Sequence, residues 1–218
     1  MSPFTKNIPN ILTISRIILA PIFFILFVYD YIHLALLCFL TASVTDALDG
    51  FIARKFNVVS KFGELYDPLA DKILVFLGWV CIFINPPFNQ NIFYDFNYLT
   101  IFFSKAIETD PNYMIFFILL LLLLRDLIAT TMREEKFRKD NIILKTNYLA
   151  KSKTTMLIVC IHFFIMTNSP FILNNKNMLN YNVYEYLLML FDISLYVTLF
   201  LSFTSLIDYF KQYKSKKI

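Results

Sequence analysis

Met114–Leu124 is a run of eleven apolar residues that ends directly on Arg125. Eleven helical residues rise only about 17 Å, roughly half the hydrocarbon thickness of a bilayer. Three other segments share this form. Ile17–Val28 follows Arg16, Ile73–Ile84 follows Asp67 and Asp71, and Met156–Met166 follows Lys151 and Lys153. Asp46 and Asp49 stand in the same way at the polar end of another apolar segment. Helices that are apolar in one half and charged in the other suit one arrangement. Their apolar halves face lipid, and their polar halves enclose a water-filled cavity open to the cytoplasm.

The bulk numbers agree with a membrane fold. The chain is 58% hydrophobic and 17% charged over 218 residues, with a mean hydropathy of +0.60. That length accommodates about six spanning helices of roughly 20 residues each. They are predicted near residues 9–29, 31–56, 62–84, 112–136, 150–167 and 183–210. The fold class is therefore all-α and polytopic, with residues 1–218 forming one membrane-embedded domain. The longest non-helical stretch is expected from Asn85 to Pro111, and Asn168–Asn182 reads as a second polar connection. The start, MSPFTKNIPN, carries one lysine and no small-residue cleavage site before Asp30, so it reads without a removable signal peptide.

Charge asymmetry sets the expected orientation. Lys105 and Lys176 alone fall in the two connections just named. Lys6, Arg54, Lys55, Lys61, the block from Arg133 to Lys153, and Lys211, Lys214, Lys216 and Lys217 fall on the other side. By the positive-inside rule both termini and the aspartates are cytoplasmic, in the plasma (inner) membrane. The net charge of +4 is then a topology and anionic-lipid signal, and no nucleic acid is implied. Cys38, Cys81 and Cys160 lie singly in apolar runs, and His33 and His162 are isolated. Ordinary core- or lipid-facing roles suit them better than a disulfide or zinc site.

Chemistry concentrates between residues 46 and 71. Asp46 and Asp49 stand at i, i+3 and Asp67 and Asp71 at i, i+4, so each pair shares a face of its own helix. Four carboxylates beside hydrocarbon repel one another and are costly to desolvate, and a pair of divalent cations resolves both problems. The chain has three glycines, and Gly50 and Gly63 are two of them. With Ala53 they leave room for a flat or elongated group between two helices, while Arg54 offers a bidentate fork to phosphate. Pro68 either bends the third helix or marks its first turn. Hard cations, a phosphate-binding arginine and an interhelical slot point to phosphoryl-group transfer, with a carboxylate taking the proton of an attacking hydroxyl.

The pattern Asp46-x2-Asp49-Gly50-x2-Ala53-Arg54-x8-Gly63-x3-Asp67-x3-Asp71 resembles the signature of the CDP-alcohol phosphatidyltransferases, with all eight fixed positions filled. The resemblance implies a six-helix membrane fold, usually a homodimer, in which an alcohol attacks the β-phosphate of a CDP-linked lipid and CMP leaves. It implies that Asp46, Asp49, Asp67 and Asp71 hold two Mg²⁺ or Mn²⁺ ions and that Asp71 doubles as general base. It further implies that Gly50, Ala53, Arg54 and Gly63 line the site of the CDP-lipid.

Two other segments bear on the acceptor. Arg125, Asp126, Thr130 and Arg133 close the fourth predicted helix, and Ala150-Lys151-Ser152-Lys153-Thr154 opens the fifth. Arg125 and Arg133 share a helical face, and with Lys151 and Lys153 they suit an acceptor that carries its own phosphate. These segments, and Asn10, Thr13 and Arg16 in Asn7-Ile8-Pro9-Asn10-Ile11-Leu12-Thr13-x2-Arg16, resemble the bacterial phosphatidylglycerophosphate synthase branch of the family. The resemblance covers about residues 7–167, and Ala150 stands where a glycine is usual. It puts Asn10, Thr13 and Arg16 on the nucleotide side. The expected substrates are CDP-diacylglycerol and glycerol 3-phosphate, among membrane lipids. A cardiolipin synthase of the same fold, using phosphatidylglycerol, is the alternative within the family. A cation transporter or channel is the alternative outside it, but neither internal repeats nor broken half-helices are visible. Glu185 and Asp192 in the last helix suggest packing or hydration rather than catalysis.

Overall fold

The computed structural model describes the backbone of residues 3–56, 61–88, 98–140, 148–174 and 178–214, and side chains within 10–45, 66, 69–88, 98–139, 148–172 and 182–214. Every regular element among them is helical: α1 Pro3–Val28, α2 Ile32–Phe56, α3 Lys61–Ile84, α4 Leu99–Ile107, α5 Pro111–Asp140, α6 Tyr148–Thr167, α7 Pro170–Asn174 and α8 Met178–Lys214. Four of these are long and apolar enough to cross a membrane, over Asn10–Val28, Pro111–Lys139, Tyr148–Thr167 and Asn182–Lys214. A shorter apolar stretch, Ile32–Thr45, lies in α2. The residues fall into two compact units, one of residues 1–85 and 161–188, the other of 86–160 and 189–218.

In the first unit α1 packs against α2 and α3. Its buried stripe is Thr13, Arg16, Ala20, Phe23 and Phe27, at alternating steps of three and four residues. On the outer side Ile11, Ile14, Ile18, Ile22 and Ile25 are all exposed. A helix with one apolar stripe packed inward and another left open is built for lipid rather than for water. α2 repeats the step with Ile32, Ala35, Phe39 and Ala42 buried, and α3 with Ala70, Leu74 and Cys81. Phe23 meets Phe39 at 5.0 Å between ring centroids, and Phe39 meets His162 edge-on at 4.7 Å. Gly78 lets α3 approach α6 closely, because a Cβ there would stand 2.7 Å from Ile161 Cδ1. The α1–α2 turn closes with Asp30 in the left-handed region (φ 61°). Tyr31 N–H donates to Leu26 O at 2.9 Å and Asp30 N–H to Phe27 O at 3.1 Å, the paired bonds that end a helix around such a residue. Pro68 lies inside α3, seven residues after its start at Lys61, so it does not mark the first turn.

The second unit corrects one expectation. The segment from Asn85 to Pro111 is not simply non-helical, because it contains α4. The residue before α4, Tyr98, supplies no side-chain cap. The cap comes from α8 instead: Asp192 accepts Leu99 N–H at 2.6 Å, Thr100 N–H at 3.3 Å and the Thr100 hydroxyl. A carboxylate at a helix N-terminus satisfies otherwise orphaned amides and meets the positive end of the helix dipole. Asp192 is 1% exposed, so its role is structural, as packing required. Asp192→Ala will therefore destabilise the protein by about 1–2 kcal/mol, and hydrogen exchange will speed up at the amides of Leu99 and Thr100 ahead of the rest of α4. α5 starts more conventionally. Asp110 Oδ1 accepts Asn112 N–H at 2.7 Å, and Pro111 takes the first helical position, where no amide is needed.

The three cysteines are free, with Cys81 and Cys160 buried and Cys38 half-buried.

Candidate active site

The signature residues divide between α2 and α3. Asp46, Asp49, Gly50, Ala53 and Arg54 fall within α2, and Gly63 and Asp67 within α3; both segments are helical as the spacing requires. The side chains of these seven lie outside the described residues. Their positions are still informative. The buried step of α2, through 32, 35, 39 and 42, continues in register at 46, 49 and 53. On α3 the step through 74 and 70 continues at 67 and 63.

Asp71 is described. Its carboxylate Oδ1 accepts Nη1 of Arg16, which reaches across from α1. The Arg16 side chain is fully buried, whereas that of Asp71 is 38% exposed. A guanidinium buried to this degree needs a counter-charge, and Asp71 provides one while keeping contact with solvent. Thr13, one turn before Arg16, is also fully buried, and Asn10 is half-buried at the next turn. The structure therefore places the expected nucleotide-side residues on the inward stripe of α1 and ties Arg16 to the expected base. The sequence shows no sign of that pairing, whose partners are 55 residues apart. Oxygen-only donors of this kind match hard divalent cations. Among the described residues no group of three or more His, Cys, Asp or Glu side chains gathers to hold one, and three of the four aspartates lie outside that set.

In the second unit three of the four expected acceptor cations come together. Arg125, 6% exposed, donates from Nε to Ser202 O at 2.9 Å, from Nη1 to Asp126 Oδ1 at 2.9 Å, and from Nη2 to the Ser205 hydroxyl. Lys153 Nζ reaches the same carboxylate, at 2.7 Å from Oδ1 and 2.8 Å from Oδ2 of Asp126. Arg133 donates from Nη2 to the Tyr209 hydroxyl, with its guanidinium 4.7 Å from the centre of that ring. Arg125 lies 5.7 Å from the same ring. Ala150 packs beside Ala129 and Tyr209, in the wall of this cluster. Lys151 is exposed and has no part in these bonds.

Asp126, Ser202, Ser205 and Tyr209 complete the cluster, and sequence reasoning assigned none of them a role. One signal for the last three was present. Thr198, Ser202, Ser205 and Tyr209 follow steps of four, three and four through an apolar helix, and all are buried.

Comparison with known proteins agrees with the signature and extends it. The model of the CDP-alcohol phosphatidyltransferase family matches residues 6–204, reaching well into α8 and beyond the resemblance read from sequence. A CDP-diacylglycerol–glycerol-3-phosphate 3-phosphatidyltransferase of Wigglesworthia glossinidia brevipalpis is 28% identical over 209 residues, 94% of this chain and 93% of the relative. A protein of the same name from Rickettsia typhi is 50% identical over 76 residues, 32% of this chain and 41% of the relative. The chain thus spans less than half the length of the Rickettsia relatives it matches. A cardiolipin synthase (CMP-forming)/mitochondrial hydrolase fusion protein of Schizosaccharomyces pombe is 46% identical over 83 residues, 37% of this chain and 14% of the relative. A complete signature, helical where its spacing demands, and a match over residues 6–204 carry one conclusion: the chain belongs to the CDP-alcohol phosphatidyltransferase family.

Proposed function

We propose that this protein transfers the phosphatidyl group of CDP-diacylglycerol to glycerol 3-phosphate, giving phosphatidylglycerophosphate and CMP. The observation that carries the choice of acceptor is the trio of buried Arg125, buried Lys153 and half-buried Arg133, with Asp126 as its one described anion. Three cations around one carboxylate leave a net charge of about +2, which suits a phosphate monoester and gives a neutral alcohol little to hold. The names of the Wigglesworthia and Rickettsia relatives support the same acceptor.

In this reading the acceptor hydroxyl oxygen forms a bond to the β-phosphorus, the bond to the α-phosphate oxygen breaks, and CMP departs. Asp71 takes the hydroxyl proton, and Arg16 holds its carboxylate in place from α1. Asp46, Asp49, Asp67 and Asp71 would hold two Mg²⁺ or Mn²⁺ ions, which supply charge neutralisation at the pyrophosphate. Gly50, Ala53, Gly63 and Arg54 would bound the CDP moiety, with Asn10 and Thr13 beside Arg16. Lys151, exposed at the start of α6, would draw the acceptor in by long-range attraction. The lysine and arginine distribution supports a cytoplasmic site in a six-helix, inner-membrane protein with both termini inside. The family resemblance supports a homodimer.

Purified protein given CDP-diacylglycerol and Mg²⁺ or Mn²⁺ will release CMP when glycerol 3-phosphate is added. Release with phosphatidylglycerol in its place would favour the cardiolipin synthase reading, for which the Schizosaccharomyces pombe relative speaks. No release with any alcohol would overturn the proposal.

A further inference from the structure

We propose that Asp126 is a resident counter-ion that sets which acceptors the α5–α6–α8 cluster admits: its carboxylate occupies Arg125 and Lys153 until a phosphate dianion replaces it. The inference rests on the acceptor site proposed above and adds a selectivity device to it.

Burial within the cluster is asymmetric. The side chains of Arg125 and Lys153 are 7% and 8% exposed, but that of Asp126 is 39% exposed. The two cations are largely shut off from water, so an anion must stay with them. The anion they share does have a route to water. Rotation of the Asp126 side chain would return its carboxylate to solvent, provided that another anion takes its place. Arg125 is otherwise fixed by the Ser202 carbonyl and the Ser205 hydroxyl, so its guanidinium stays in position during such an exchange.

The donor inventory favours a larger anion than a carboxylate. The Nε of Arg133 is buried and meets no hydrogen-bond partner among the described residues. Lys153 directs its ammonium to one carboxylate, with both bonds ending on Asp126. A phosphate monoester brings three terminal oxygens and two charges, enough to satisfy Arg125, Lys153 and Arg133 together. A monoanion offers no more charge than the carboxylate it would displace, and a neutral polyol offers none. Asp126 therefore acts as a threshold that dianions pass and weaker ligands do not. It is a specificity-determining residue, separate from the group that takes the proton.

The test uses the full chain in detergent, with inorganic phosphate as probe and calorimetry as readout. Asp126→Asn keeps the size and one oxygen of the side chain while removing the competing charge. We expect it to bind phosphate about fivefold more tightly than the wild type, the upper end for one partly exposed ion pair. Its KM for glycerol 3-phosphate should fall in parallel. It should also bind dimethyl phosphate, a monoanion, which the wild type excludes. Unchanged or weaker phosphate binding would overturn the proposal and make Asp126 a structural tie. Asp126→Ala repeats the experiment, and failure of both variants to fold would also count against a carboxylate that can leave. A different result would overturn the underlying acceptor site: no phosphate binding by the wild type, with a KM that Arg133→Ala does not alter. Competition for phosphate by micellar phosphatidic acid, and not by soluble glycerol 3-phosphate, would overturn it as well.

Discussion

Asp71→Asn will slow CMP release by about 10²–10⁴-fold, the range for removing a positioned general base. Asparagine keeps the shape and the oxygen that Arg16 contacts, but it cannot take a proton from the acceptor hydroxyl. Binding of CDP-diacylglycerol should change far less, under about tenfold, because the nucleotide and diphosphate have their own partners in the reading above. The stability loss should be moderate. Removing one member of a fully buried pair costs about 3–5 kcal/mol, but Asp71 is 38% exposed and the amide oxygen still accepts from Arg16. Single-turnover CMP release, ligand binding and thermal melting on one preparation separate these effects. Turnover within tenfold of wild type would remove Asp71 from the role of base.

Arg125→Ala will weaken acceptor use and the fold together. Its guanidinium serves three partners at once: a backbone carbonyl and a hydroxyl on α8, and the carboxylate of Asp126. Loss of a group so placed removes two buried hydrogen bonds to α8 and a charge that balances Asp126, a cost of about 3–5 kcal/mol. The melting temperature should drop sharply, and the KM for glycerol 3-phosphate should rise in whatever protein remains folded. Arg133→Ala provides the contrast, because that side chain is half-buried and its described hydrogen bond is to Tyr209 alone. It should raise KM with a much smaller change in melting. Arg125→Lys should not restore stability, since an ammonium cannot reproduce the planar fork. If Arg125→Ala melts like wild type, the network around it carries little of the fold.

The helices were legible in the sequence because hydropathy and a three-to-four-residue step are local properties. The six helices predicted from them all fall on observed helices, four of them long and apolar enough to cross a membrane, although α1 begins at Pro3, earlier than expected. α4 was not legible, because the group that caps it is supplied by Asp192, 93 residues beyond Leu99. The same limit hid the Arg16–Asp71 pair. Both residues stood out singly, as charges at the edge of apolar runs, but a contact 55 residues apart leaves no trace in spacing. Arg125, Arg133, Lys151 and Lys153 stood out together as cations beside apolar segments; Arg125 and Lys153 are buried, whereas Lys151 is exposed. The partner that Arg125 and Lys153 share was passed over because Asp126 looks like an ordinary helix-surface acid. The hydroxyl row of α8 was a fair signal that went unread, since serine and threonine in a membrane helix often bond only to their own backbone.

The cap that Asp192 gives to α4 has a temporal side. At 5–20 residues per second, the chain between Leu99 and Asp192 takes about 5–20 s to synthesise. Throughout that interval the first turn of α4 exists without the carboxylate that satisfies its amides. A nascent chain arrested before Asp192 should therefore exchange the amides of Leu99 and Thr100 freely, and release of the last helix should protect them in a single late step.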